Sequence, residues 1–421
     1  MLFMKYVCLF FLLSCVSCSA QVEKVSPLFP CSDMLNNPYG VCAHVTQTFW
    51  DQPYHDSLIV LMKEAQISDM RFDLWLPYTE KLQNNKHLSV IKEAVNRNYE
   101  RGLNQLGILF VGWKGQRAWN KKKEYEAFLD TMLLNYKYLV PYWEVLNEVN
   151  LTANEDKVSL DSTVSYYMDL LPLTYKKIKD VNSNILVTSS GISDVSDGFL
   201  EQMCQKQGYL YFDVLNFHSY IEPEVFPDKF RIIRELMDRY GWEKPVWITE
   251  CGYPTHQEPE IKIWAKDMEQ KEAEQALRIP RTYLIAFAYG VDKVFTYSLR
   301  SREKKLSNSE DHYGILHADL TPKPAFIAYK TMTKMLPSGS SRPKLIIDGN
   351  TYISSWKRPD GKKVYAVWTA KAKESVSILI KGDYCCYDVY GNAITIDNDD
   401  VVITPSLKYF LGSKNLKFRI K

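Results

Sequence analysis

The sequence predicts an α/β fold: a (β/α)8 TIM barrel followed by a small C-terminal antiparallel β-sandwich. Three observations carry this. Between about Asn37 and Leu336, short β-branched runs alternate eight times with longer segments of helical period. Several of those runs are apolar throughout, as parallel strands covered on both faces require. After Leu336 the helical period stops, and strand-like alternation replaces it. Eight alternations suit a closed barrel better than an open doubly wound sheet.

The barrel strands are expected at Tyr39–Val45, Ser68–Leu76, Leu106–Gly112, Tyr142–Glu148, Ile185–Ser190, Phe212–His218, Pro245–Glu250 and Asp292–Ser298. Between them, Tyr125, Phe128, Leu129, Met132, Leu133 and Tyr136 form one helical stripe. Leu88, Ile91 and Val95 form a shorter stripe, as do Phe230, Ile233 and Met237. Asp161-Ser162-Thr163 offers N-cap chemistry for another helix. Past the barrel, Pro337 to Pro343 reads as a linker. Thr351–Lys357 and Lys363–Thr369 flank the turn signal Pro359-Asp360-Gly361. Leu416, Phe418 and Ile420 alternate with Lys417, Arg419 and Lys421, a strand with one dry face. The expected division is therefore residues 1–20 as a leader, 21–336 as the barrel, 337–343 as the linker and 344–421 as the sandwich.

The leader reading rests on Lys5, the apolar run Tyr6–Val16 and the small residues up to Ala20. Cys18-Ser19-Ala20 suits ordinary signal peptidase cleavage, and Leu12-Leu13-Ser14-Cys15 resembles a bacterial lipobox that would leave a lipid on Cys15. Both stay open; either way the chain is expected to be exported, to the periplasm, the cell surface or beyond, in a bacterial setting. Membrane association is expected only through that lipid. Of the nine cysteines, Cys31, Cys42, Cys204, Cys251, Cys385 and Cys386 lie beyond the leader, and their spacing shows no zinc pattern. A Cys31–Cys42 bridge and buried free thiols are both compatible with it.

Composition excludes several classes. The 421 residues are 46% apolar and 24% charged, against both disorder and a membrane-spanning protein. A net charge of +2 gives no case for nucleic acid as a partner. No Gly-x-Gly-x-x-Gly follows an early strand and no phosphate-loop motif appears, so nucleotide chemistry lacks its main support. The 28 Tyr and 10 Trp supply a core and also flat faces suited to sugar rings.

Two glutamates carry the chemistry. Glu148 closes the fourth run, Tyr142-Trp-Glu-Val-Leu-Asn-Glu148, and Glu250 closes the seventh, Pro245-Val-Trp-Ile-Thr-Glu250. A carboxylate ending an apolar strand costs desolvation energy unless the site uses it. In a barrel both would project into the mouth at the C-terminal ends of the strands. Such a pair hydrolyses a glycosidic bond, and retention requires the carboxyls to be about 5–5.5 Å apart.

These segments carry a family resemblance. Trp143-Glu-Val-Leu-Asn147-Glu148, Phe217-His218-Ser-Tyr220 and Trp247-Ile-Thr-Glu250 resemble strand ends of the large (β/α)8-barrel clan of retaining glycoside hydrolases, cellulase-like and β-xylosidase-like members among them. It spans roughly Asn37 to Leu336, including Tyr313-Gly-Ile-Leu through Pro322-Lys-Pro324-Ala-Phe, and leaves the individual family open. The resemblance implies Glu148 as acid/base, Glu250 as nucleophile and Asn147 on the sugar 2-hydroxyl. It implies Arg71 beside the nucleophile, with a structural pair to Asp73 as the alternative. His218 and Tyr220 would close the sixth strand, Tyr220 donating to the nucleophile, and His44 would follow the first.

There are departures. Gly112-Trp113 stands where many cellulase-like members have a histidine after the third strand, and Phe295-Thr-Tyr297-Ser298 where many have a tryptophan on the eighth. This leaves hexose, pentose and uronic acid open. Trp113, Trp75, Trp50 and Trp264 are candidate stacking faces, with packing beneath a loop as the alternative for each. Lys121–Lys123 reads as a solvated helix start and Asn150-Leu-Thr152 as a host-dependent sequon. His256 and Glu258 lack metal spacing. The expected function is retaining hydrolysis of a β-glycosidic bond in a polysaccharide or oligosaccharide, with no cofactor and no metal. A non-catalytic carbohydrate-binding protein on this scaffold, a metal-assisted hydrolase and a transglycosylase using the same glutamates are the rivals.

Overall fold

The computed structural model describes residues 22–76, 86–111, 121–151, 158–256, 268–370, 374–396, 400–413 and 415–420. The leader, Trp113, Trp264, Thr152 and Glu258 lie outside the described residues.

In chain order, β1 (Glu23–Lys24) precedes the first barrel strand, β2 (Tyr39–Cys42). Then follow α1 (His55–Glu64), β3 (Asp69–Leu76), α2 (Lys86–Glu100), β4 (Asn104–Val111), α3 (Lys122–Tyr136) and β5 (Tyr142–Val145). The barrel continues with α4 (Leu160–Val181), β6 (Leu186–Thr188), α5 (Phe199–Gln205), β7 (Leu215–His218), α6 (Phe226–Tyr240), β8 (Val246–Cys251), α7 (Met268–Ala288), β9 (Lys293–Thr296) and α8 (Pro324–Met335). All eight expected strands are present. They run parallel in the order β6-β5-β4-β3-β2-β9-β8-β7. Bridges Thr188–Val214 and Ile192–Phe217 bring the sheet's two ends together and close the cylinder.

The α3 stripe is buried as its spacing demands: Tyr125, Phe128, Leu129, Met132, Leu133 and Tyr136 all face the sheet. Each such side chain contributes about 1.5–3 kcal/mol through its lost water contact. The cap of α4 departs from expectation. Ser159, two residues before Asp161, occupies the cap, and its hydroxyl accepts from Ser162 N at 3.2 Å. Asp161 falls in the first turn, where its charge suits the helix dipole. The Cys31–Cys42 bridge is also corrected, since both are free thiols. Buried Cys42 instead directs its Sγ at the Thr249 carbonyl, 3.3 Å away.

Beyond α8 come β10 (Lys344–Asp348), β11 (Thr351–Lys357), β12 (Lys363–Thr369), β13 (Val376–Lys381), β14 (Tyr384–Tyr387), β15 (Ala393–Ile394), β16 (Asp400–Ile403), β17 (Lys408–Gly412) and β18 (Lys417–Ile420). They form a seven-stranded antiparallel sheet, β1-β10-β11-β12-β17-β14-β15, facing a three-stranded one, β16-β13-β18. The β11–β12 hairpin turns at Gly361, whose φ of 83° favours glycine. β1 pairs with β10, so the start of the described chain belongs to the sandwich sheet rather than to the barrel. Arg342, within the expected linker, is buried and bonds Val291 O at 2.7 Å and Asp292 at 2.6 Å, fastening the crossing to the barrel. Trp356 donates to Met335 O and Trp368 to Glu224, so sandwich indoles fill the barrel's flank. Among the described residues no helix is long and apolar enough to cross a membrane.

Candidate active site

β5 ends at Val145, and the chain then turns sharply so that Asn147 and Glu148 lie just beyond it. Leu146 (φ 64°) and Glu148 (φ 43°) both adopt left-handed backbone. For non-glycine residues this costs roughly 1–2 kcal/mol each. The bonds Leu146 N to Leu109 O (3.2 Å), Glu148 N to Gly191 O (3.0 Å) and Val149 N to the Ser190 hydroxyl (3.2 Å) hold the turn in place. Strain held this way aims a side chain, and the one aimed here is Glu148.

Glu250 lies in β8, nearly buried, across the same mouth. The two catalytic candidates meet: one oxygen of Glu148, one of Glu250 and a ring nitrogen of His218 lie within 4.8 Å of one another. His218 Nδ1 shares a hydrogen bond with Glu148 at 2.8 Å and lies 3.5 Å from Glu250. The ring comes this close because residue 191 is glycine; a Cβ there would fall 2.0 Å from His218 Nε2. Tyr220 donates to the second oxygen of Glu250. Burial and the charge of Glu250 push the Tyr220 hydroxyl well up, so it remains a donor.

Arg71 organises the floor. Its Nη1 donates to Glu250 at 2.5 Å, its Nη2 to Asn147 Oδ1 at 2.7 Å, and its Nε and Nη2 grip Glu144 at 2.7 and 2.8 Å. The expected alternative, a pair with Asp73, is replaced by Glu144, which the sequence reading missed. Because the guanidinium can only donate, it fixes the Asn147 amide with Oδ1 inward and leaves Nδ2 for another acceptor. Burial alone would raise the Glu250 carboxyl; the His218 ring, the Arg71 guanidinium and the Tyr220 hydroxyl more than offset this and hold it below the ordinary value.

The opposite wall is a hydrogen-bonded chain. His44 joins Asp73 (2.9 Å) to the Tyr297 hydroxyl (3.2 Å), which donates to Glu310 at 2.9 Å. Burial would push the His44 ring down and the Asp73 carboxyl up, and their pairing reverses both. Trp50 stacks beneath His44 with centroids 3.9 Å apart, which places it under the wall instead of on a sugar. Trp75 packs edge-on against His87 and is absent from the cavity lining. Tyr220, Tyr297 and Tyr313 form an aromatic cluster with centroids 5.3–6.3 Å apart. The enclosed space is about 300 Å³ and is bordered by Asn147, Glu148, Glu250, Tyr297, Glu310 and Tyr313, among others.

Glu310 and Glu144 are the functional-site residues that sequence reasoning overlooked. Glu144 obeys the rule that singled out Glu148, a carboxylate inside an apolar strand, and could have been found by it. Glu310 sits in a polar loop after β9 and gives no such signal. The trio Glu148, His218 and Glu250 is also the grouping of metal-ligand type among the described residues. Arg71 and Tyr220 already occupy both oxygens of Glu250.

Residues 116–313 match the family model described as the glycosyl hydrolase catalytic core. No curated protein matches the sequence. Similar solved structures include a family 39 glycoside hydrolase from the gut symbiont Bacteroides cellulosilyticus WH2, at TM-score 0.68 and 20% identity, covering 90% of this chain and 81% of that one. A glucosidase from Croceicoccus marinus aligns at TM-score 0.63 and 11% identity, covering 96% and 99%. A family 30 subfamily 8 xylanase from Clostridium acetobutylicum aligns at 0.58 and 11%, covering 90% and 97%. At these identities the structures establish a shared fold. The matched catalytic core, just under half of the chain, and the closed eight-stranded barrel support a glycoside hydrolase of the large (β/α)8-barrel clan, its individual family unresolved.

Proposed function

We propose that the protein is an exported retaining β-glycoside hydrolase acting on a polysaccharide or oligosaccharide by double displacement, with Glu148 as acid/base and Glu250 as nucleophile. One observation carries this reading: the two carboxylates approach within 4.8 Å across one cavity. Retaining enzymes need about 5–5.5 Å, whereas inverting ones leave about 6.5–9.5 Å for a water.

In the first step an ionised Glu250 oxygen attacks the anomeric carbon while Glu148 gives its proton to the departing glycosidic oxygen. The C1–O bond breaks and a glycosyl ester forms. In the second, water attacks the same carbon, Glu148 takes the water's proton, and Glu250 leaves as carboxylate. Arg71 and Tyr220 stabilise that carboxylate before attack and after release. The Asn147 Nδ2 is free to donate to the sugar 2-hydroxyl, a bond that strengthens toward the oxocarbenium-like transition state. Export rests on the leader sequence, with Cys15 lipidation and cleavage after Ala20 as its two forms.

Glu250→Gln keeps the shape and removes the nucleophile. It should reduce reducing-sugar release from a glycan panel by at least about 10⁴-fold, with the fold intact by circular dichroism. Full residual activity would end the assignment. A chelator should leave the wild-type rate unchanged, which separates this reading from metal-assisted hydrolysis.

A further inference from the structure

The walls of the cavity are rich in carboxylates. Asp73, Glu148, Glu250 and Glu310 all border its roughly 300 Å³. Among the described residues, the cations beside it are committed to acids already present. Arg71 is shared among Glu144, Glu250 and Asn147. His44 is held between Asp73 and Tyr297, and His218 faces Glu148. Further out, Arg300 pairs with Asp51 at 3.0 Å, and Arg302 with Asp311 at 2.8 Å while lying over the Trp50 ring.

Glu310 differs from the other three acids. It is exposed at the rim, and its one bond described here, from Tyr297, leaves acceptor capacity on the carboxylate. Burial and the nearby Glu250 push its carboxyl up from the ordinary value; in its ionised form it only accepts hydrogen bonds, so it matches sugar hydroxyls, which donate, and repels a second carboxylate. Like-charge juxtaposition of this kind is a strong way of rejecting a wrong ligand.

We infer that the sugar bound against Glu250 is uncharged, that Glu310 selects it by accepting hydrogen bonds from its ring hydroxyls, and that uronic acids are turned away. This rests on the double-displacement reading and narrows it, since sequence alone left hexose, pentose and uronic acid open. Tyr297 acts as the positioning residue, fixing Glu310 from β9 while His44 fixes Tyr297 from the far side.

The test uses activated 2-deoxy-2-fluoro-β-glycosides of glucose, galactose, mannose, xylose and glucuronic acid, with labelling followed by mass spectrometry of the intact protein and its peptides. The expected result is labelling of Glu250 by at least one neutral reagent, about 100-fold or more faster than by the glucuronyl reagent. A neutral advantage below about tenfold, or faster glucuronyl labelling, overturns the inference while upholding Glu250 as nucleophile. Labelling of Glu250 by none of the reagents removes the nucleophile reading and this inference with it. Glu310→Gln, a rim substitution that leaves the core untouched, should slow neutral labelling about tenfold or more without slowing the glucuronyl reagent. An equal fall for both classes would show that Glu310 supports the loop and does not select the sugar.

Discussion

Arg71 donates to Glu144, Asn147 and Glu250 at once, so its removal affects structure and chemistry together. Arg71→Met would leave two carboxylates facing each other in the barrel without their cation, at a cost of about 3–5 kcal/mol. It should also move the acid limb of the kcat/KM profile. In the proposed double displacement Glu250 works ionised; its carboxyl is held below the ordinary value in the folded protein, so activity should persist as pH falls until that carboxyl protonates. Taking away a group that lowers it shifts the limb to higher pH. Tyr220→Phe removes a hydrogen bond but no charge. It should move the limb in the same direction by less, with a smaller loss of stability. A limb that stays in place in both variants would show that neither group governs Glu250. At this scale the sequence revealed the residues at strand ends, because a carboxylate closing an apolar run is visible as an anomaly. It did not reveal partnerships: Glu144 displaced Asp73 as the mate of Arg71 because strand register, not proximity in the chain, decides which side chains share the barrel's interior.

At the scale of elements, the helical stripes and strand runs were legible wherever periodicity was long, as in α3, where the six positions of the predicted stripe are all buried. Ends were less legible. The α4 cap is Ser159 because its backbone is extended (φ −64°, ψ 151°) and its hydroxyl reaches Ser162 N, whereas Asp161 already lies inside the helix. Ser159→Ala should therefore cost about 1 kcal/mol in thermal unfolding, and Asp161→Ala only a few tenths. The reverse ranking would return the cap to Asp161. Loop positions were the least legible. Trp50 follows the first barrel strand and Trp75 lies at the end of β3, but each finds a protein ring to pack against, His44 and His87. Nothing in local sequence distinguishes such packing from a platform left open to a sugar.

At the scale of the molecule, the apolar core runs without a break from the barrel into the sandwich, where Leu345, Tyr352, Trp356 and Trp368 join the same cluster as the barrel helices. A second, smaller core lies between the sandwich's own two sheets. The sequence indicated where helices give way to strands, but not that β1 returns to complete the sandwich sheet, because a two-residue strand carries no period. With β1 engaged in the sandwich sheet and Arg342 tied into the barrel, the two domains should unfold in a single calorimetric transition. Trp368→Ala, which empties a fully buried site and takes one donor from Glu224, should lower that transition by about 3–5 kcal/mol without splitting it. Two separate transitions in the parent protein would mean the shared core does not couple the domains.

We propose that Glu148 and Glu250, with one oxygen of each within 4.8 Å of the other, act on opposite sides of one anomeric carbon. Proton NMR of the first product formed from the best β-linked substrate tests it most directly, read before mutarotation sets in. The expected first product is the β-anomer, the outcome of two successive inversions at that carbon. An α-anomer as the first product would mean that a water, and not Glu250, attacks the substrate.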